Sequence, residues 1–158
     1  MTLALVPYDG TAAAEVVAWC AVSPFSREWV PESATDPDAV LAGWQTDPDI
    51  TGYLLMRDGT PVAYGELWVE ADDDEAELAH LVVDPGLRRQ GLGRALAVEL
   101  VAAARASGLT NVFLRVRPDN VVAISCYATV GFAPVSEAEE AEFNAGQPAA
   151  YHWMRHHA

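Results

Sequence analysis

The chain is 158 residues long, 51% hydrophobic and 20% charged, enough for one compact domain that buries roughly 68–70% of its unfolded surface without help from disulfide or metal. Its nine basic residues are all Arg and stand against 23 acids, a net charge of minus 14, which argues against nucleic acid or an anionic membrane as the main partner. Cys20 and Cys126 form no CxxC pair, no basic leader follows Met1, and no apolar run approaches 18 residues; a zinc knuckle, a secretory leader and a membrane span are therefore not expected, and a reducing cytoplasm is.

In chain order, Leu3 to Pro7 reads as a strand, and Asp9 and Thr11 stand where they can cap an Ala-rich helix to about Ala21. Ser23 to Asp49, punctuated by four prolines, reads as irregular chain with one helical piece at about Asp38 to Trp44. Gly52 to Arg57 and Pro61 to Glu70 flank Asp58-Gly59, a pair suited to positive φ, and predict an antiparallel hairpin. An acidic loop, Ala71 to Glu75, leads to Leu78 to Val83, an apolar run expected of a central strand covered on both faces. Leu92, Leu96 and Leu100 mark a helix that stops at Ser107-Gly108, and Val112, Leu114 and Val116 mark the next strand, so the three elements form a βαβ unit with parallel strands. Asp119 or Asn120 caps a further helix to Thr129, Gly131-Phe132 opens a strand, Glu137 to Glu142 is an acidic insert, and Ala149 to His156 reads as the last strand, with His156 and His157 as a loose tail. The expected fold is α/β (α+β): a single domain over residues 1–158, with a mixed sheet of about six or seven strands and about four helices.

Charge is unevenly placed. Between Arg88 and Arg117 six Arg (88, 89, 94, 105, 115 and 117) meet one acid, Glu99, a local net of plus 5 that leaves minus 19 for the remainder. The junction after the central strand reads Val83-Asp84-Pro85-Gly86-Leu87-Arg88-Arg89-Gln90-Gly91-Leu92-Gly93-Arg94. A helix N-terminus presents unpaired N–H groups and roughly half a positive charge, Gly91 and Gly93 remove Cβ atoms, and Arg88, Arg89 and Arg94 add full charges, so the segment suits a pyrophosphate. It lacks the Gly-Lys-Ser/Thr of a P-loop, and Leu96 stands where a dinucleotide fingerprint requires Gly.

Arg88, Gly91 and Gly93 reproduce the Arg/Gln-X-X-Gly-X-Gly/Ala signature after a strand ending in Val, and Asn120, Ala123, Tyr127, Gly131 and Phe132 reproduce a second, downstream pattern. On both, the chain resembles the GNAT superfamily of N-acetyltransferases over its whole length. The resemblance implies acetyl-CoA as acyl donor and no metal. It implies that the backbone of Leu81, Val82 and Val83 pairs with the pantetheine arm, with one N–H near Leu81 polarising the thioester carbonyl. It further implies that N–H groups from Arg89 through Gln90, Gly91, Leu92 and Gly93 to Arg94 hold the pyrophosphate, beside Arg88, and that Asn120 faces the cofactor arm.

An alkyl ammonium is neutral only about once in 2,500 at pH 7, a deficit of about 4.6 kcal/mol, so amine acetylation needs a base. The family places a carboxylate six residues before the terminal Val, which is Glu77 here; Glu66, His80 and a water are the rivals. In a regular strand Glu77 and Leu81 share a face about 13 Å apart, and His80 lies on the opposite one. Tyr127 matches the family's general acid, which reprotonates the leaving thiolate, and Cys126 reads as a small buried hydrophobe rather than a nucleophile. Phe25, Trp29 and Trp44 are candidates to wall the acceptor pocket, and the acidic surplus suits a cationic amine. The expected activity is direct acetyl transfer to a primary amine, with a small or amino-acid-like acceptor favoured. A protein N-terminus or Lys side chain, and a non-catalytic acyl-CoA-binding sensor, are the alternatives, and a homodimer is compatible with all of them.

Overall fold

The computed structural model describes residues 1–157. Twelve elements follow one another: β1 (Leu3–Pro7), α1 (Ala13–Cys20), α2 (Pro37–Trp44), β2 (Ile50–Arg57), β3 (Thr60–Glu70), β4 (Glu75–Val83), α3 (Leu92–Ala106), β5 (Asn111–Val116), α4 (Val121–Val130), β6 (Phe132–Pro134), α5 (Glu137–Asn144) and β7 (His152–His156), with short 3₁₀ turns at Arg27–Trp29, Ala71–Asp73 and Pro85–Leu87. The strands build one mixed sheet in the order β1-β2-β3-β4-β5-β7-β6, in which, among the described residues, only β4 and β5 run parallel. The expected βαβ unit is therefore present at the centre of the sheet, with α3 as its crossover.

Alternation along the strands separates two cores. Leu96 and Leu100 of α3 are completely buried, together with Ala97 and Ala104, against Leu55, Leu67 and Leu78 on one face; each large side chain so buried contributes about 2 kcal/mol. On the other face Val16, Trp19 and Cys20 of α1 and Leu41 of α2 pack on Leu54, Tyr64 and Val82. The β2–β3 hairpin turns through Asp58 and Gly59, both at positive φ (50° and 82°), as the dipeptide predicts.

Several boundaries differ from expectation. The central strand starts at Glu75 rather than Leu78, because its first half alternates buried Ala76 and Leu78 with half-buried Glu75 and Glu77, so acids interrupt what is half of a two-faced strand. The acidic insert is a helix, α5, whose Ser136 accepts from the Glu139 N–H and donates to its carboxylate, and it brings the α-helix count to five. His156 is no tail residue. It closes β7, stands edge-on to Phe132 at 5.2 Å and approaches the Val130 carbonyl at 3.1 Å.

Two features position the site. First, β4 and β5 pair only from Glu75↔Asn111 to Leu78↔Leu114; beyond that point β5 continues against β7, β4 against β3, and the two parallel strands part. Second, β4 carries a bulge. Tyr64 pairs with Val82 and Glu66 with Ala79, so Gly65 faces both His80 and Leu81, and His80 takes φ 50°. Regular alternation would keep Leu81 on the face of Glu77 and turn His80 away. The bulge does the reverse: His80 joins Glu77 on the α1/α2 side, and Leu81 packs into the α3 core beside Leu100.

Candidate active site

Where β4 and β5 separate, a cavity of about 880 Å³ opens between Leu78–Val83 on one wall and Leu114–Asn120 on the other. One end is built for an anion. After the 3₁₀ turn, Arg89 and Gly91 adopt positive φ (64° and 74°), and α3 begins at Leu92. Among the described residues no protein acceptor pairs with the main-chain N–H groups of Arg89 to Arg94. A Cβ at Gly91 would meet nothing within 4 Å, so the space that the missing side chain leaves is open; at Gly93 it would come 3.8 Å from Val83 and 3.9 Å from the Cys126 sulfur. Arg57 Nη1 donates to Gln90 Oε1 at 2.7 Å and steadies the turn from β2. A diphosphate fits such a cradle of free amides and neighbouring guanidinium groups. The adjacent stretch of β4, Ala79 to Val83, has no strand on its β5 side and suits an extended, amide-bearing arm.

Tyr127 and Asn120 of α4 reach the same cavity from the β5 side. Asn120 also caps its helix, accepting from the Ala123 N–H at 3.3 Å. Tyr127 stands edge-on to Phe132 at 6.2 Å, and burial raises its phenol pKa above the ordinary value. Burial likewise raises the Cys126 thiol, with Arg94 opposing, which favours an inert protonated sulfur.

The far end is aromatic and charged. Phe25, Trp29, Trp68 and Tyr151 line it, with Glu77, His80, Arg115 and Arg117. Arg115 Nε and Nη2 donate to the two Glu77 oxygens at 2.7 and 3.1 Å, Nη1 donates to Gln147, and the rings of Trp68, Tyr151 and Trp153 surround the guanidinium at 5.5, 5.5 and 4.9 Å. Burial raises the Glu77 carboxyl pKa, and Arg115 pulls it back. Glu66 is completely buried and accepts from Tyr64 Oη at 2.6 Å and Trp68 Nε1 at 2.8 Å, with His80 Nδ1 at 2.8 Å. Trp29 and Trp44 flank the imidazole at 4.9 and 4.5 Å.

Residues 13–132 match the sequence model of the acetyltransferase (GNAT) family. The chain belongs to the GNAT family. It is similar to the [ribosomal protein bS18]-alanine N-acetyltransferase of Escherichia coli K12, 44% identical over 80 residues that cover 51% of this chain and 53% of that protein. It is also similar to the mycothiol acetyltransferase of Actinosynnema mirum, 32% identical over 108 residues covering 66% of this chain and 36% of that one. The chain thus spans about half of the first relative's length and a smaller share of the second's. Its fold is similar to that of the PaiA N-acetyltransferase of Thermoplasma acidophilum solved in complex with coenzyme A, at a TM-score of 0.70 and 19% identity over the full length of both chains.

Within this GNAT chain the expected site residues converge in part. Leu81, Val82, Val83, Arg88, Asn120, Tyr127 and Glu77 border one cavity, and Gly91 to Arg94 form the turn above it. The six-Arg cluster does not act as one: Arg105 turns away at the end of α3 to the Thr110 carbonyl and His156, while Arg115 and Arg117 belong to the aromatic end, Arg117 lying over Phe25 at 5.7 Å and near Glu28 and Asp119. Trp44 packs behind His80 and donates to the Trp29 carbonyl, and so supports the wall that Phe25 and Trp29 line. Trp68 and Tyr151 were missed; Trp68 sits directly opposite Glu77 in the β3–β4 register, a pairing that only the sheet reveals.

Proposed function

We propose that the chain is an acetyl-CoA-dependent N-acetyltransferase whose acceptor is a small, cationic primary amine or amino-acid-like molecule. The observation that carries the reading is the cavity at the parted strands, which reaches Arg88 beside a turn of free main-chain amides, is bordered by Tyr127, and holds His80 and Glu77 at its aromatic end. Acetyl-CoA supplies the acetyl thioester. The turn from Arg88 to Arg94 binds its diphosphate, the unpaired side of Leu81 to Val83 aligns its arm, and an N–H near Leu81 faces the carbonyl, a donor worth about 3 kcal/mol when aimed at developing negative charge. Tyr127 gives its phenolic proton to the departing sulfur; burial keeps the phenol protonated, and so present as a donor, at neutral pH. Glu77 and His80 both face the acceptor. A net charge of minus 14 draws a cationic amine toward the mouth.

A protein N-terminus is the second reading, favoured by the 44% identity to the bS18-alanine enzyme. The rings of Phe25, Trp29 and Tyr151 that line the aromatic end favour the small acceptor. A screen of amines, amino acids and short peptides with acetyl-CoA and free-thiol detection tests the reading: acetyl-CoA-dependent thiol release with a primary amine supports it, and tight coenzyme A binding without turnover on any amine supports a sensor instead.

A further inference from the structure

Resting on the reading just given, we infer that His80 is the general base and that buried Glu66 positions it. The imidazole has one nitrogen committed and one free. Nδ1 lies 2.8 Å from Glu66 Oε1, the oxygen that also accepts from Trp68 Nε1, while Tyr64 Oη donates to Oε2 and is itself held by Gln45 Nε2 at 3.1 Å. A carboxylate that receives two donors from fixed aromatic residues stays an acceptor, so Nδ1 carries the hydrogen and Nε2 presents its lone pair. Trp29, Trp44 and Trp68 stand 4.9, 4.5 and 5.6 Å from the ring and fix its orientation. The bulge with His80 at φ 50° turns this side chain into the cavity, one residue before the Leu81 backbone.

Glu77, the carboxylate in the family's usual place, is otherwise employed. Both its oxygens accept from Arg115, whose guanidinium is enclosed by three rings. With both oxygens occupied by that fork, it is not a free base. The groups that face His80 are Glu66 from β3, Glu77 on its own strand, and the neutral rings of Trp29, Trp44 and Trp68.

The protons balance as follows. Nε2 takes one from the acceptor ammonium; the freed amine forms the C–N bond as the C–S bond breaks; the thiolate leaves with the Tyr127 proton; the second nitrogen-bound proton restores Tyr127; and Nε2 returns its own to solvent. No further reactant is needed.

The test uses the full chain with acetyl-CoA and the best amine of the screen. His80→Gln should lower kcat about 10²-fold or more near pH 7 with acetyl-CoA affinity by calorimetry retained, and the deficit should shrink toward pH 10 as the amine deprotonates unaided. Added imidazole should restore part of the rate to His80→Gly but not to wild type. Glu66→Gln, which keeps size and most contacts, should lower kcat at least 10-fold and displace the ascending limb of the pH profile, while Glu77→Gln keeps that limb. Wild-type turnover with a His80→Gln profile that matches it, or a limb lost in Glu77→Gln instead, overturns the assignment; absence of turnover in wild type itself counts against the acetyltransferase reading, a separate failure.

Discussion

Glu77 and Arg115 meet where β4 and β5 stop pairing, through two hydrogen bonds at 2.7 and 3.1 Å, inside a ring of three aromatic side chains. The pair is mostly buried, so its attraction is little screened, and a lone partner would be left charged and desolvated. Arg115→Lys keeps the charge and loses the fork to Glu77 and Gln147. The expected cost is about 2 kcal/mol, seen as a fall in Tm of roughly 4–8 °C. The KM for the amine should rise while that for acetyl-CoA stays level, because Arg115 lines only the acceptor end; equal effects on both would contradict this division of the cavity.

At Gly91 two effects add. The residue sits at φ 74°, where a side chain is strained, and its missing Cβ leaves open space above the helix N-terminus. Gly91→Glu places a carboxylate there, and calorimetry should find acetyl-CoA binding abolished with the fold intact by circular dichroism. Retained affinity would mean that the diphosphate lies elsewhere.

Tyr127→Phe should lower kcat about 10²-fold with cofactor affinity unchanged. Burial raises the phenol pKa, so the folded protein keeps this proton above pH 10, where a free tyrosine begins to lose it. Activity should therefore show no descending limb below pH 10 that disappears in the Phe variant.

Cys20 predicts an alkaline effect on stability. Burial, with Glu66 nearby, pushes its thiol from 9.0 up to about 12. Below pH 9 both folded and unfolded chains hold the proton and nothing changes. Between about 9 and 12 only the unfolded chain releases it, so stability falls by about 1.4 kcal/mol per pH unit from this group. Urea titrations of Cys20→Ala should show a shallower alkaline slope than wild type, and a thiol reagent should label Cys20 only on unfolding.

The central βαβ unit was legible because its signals are local: leucines four apart, a Gly stop and an alternating strand. The glycine turn before α3 was legible for the same reason, since Arg88, Gly91 and Gly93 lie in one contiguous stretch. The aromatic end of the cavity was not. Its geometry depends on Trp68 pairing opposite Glu77, on Arg115 crossing to that carboxylate, and on Glu66 reaching His80 from the next strand, relations that link residues 9 to 38 positions apart. Regular period-two counting also failed in β4, where the extra residue opposite Gly65 reverses the expected sides of His80 and Leu81. Gly65 was a faint signal: a Cβ there would fall 2.8 Å from Leu100 Cδ1, too close unless the Leu100 side chain moves.

That surplus residue sets the reading frame of the strand's second half. Excising one position between Ala79 and Val82 would restore an ordinary ladder and, in the same stroke, turn the chamber's imidazole or the leucine that seals α3 inside out. Chemistry and packing are thus wired through a single insertion, and neither can drift along the chain without carrying the other with it.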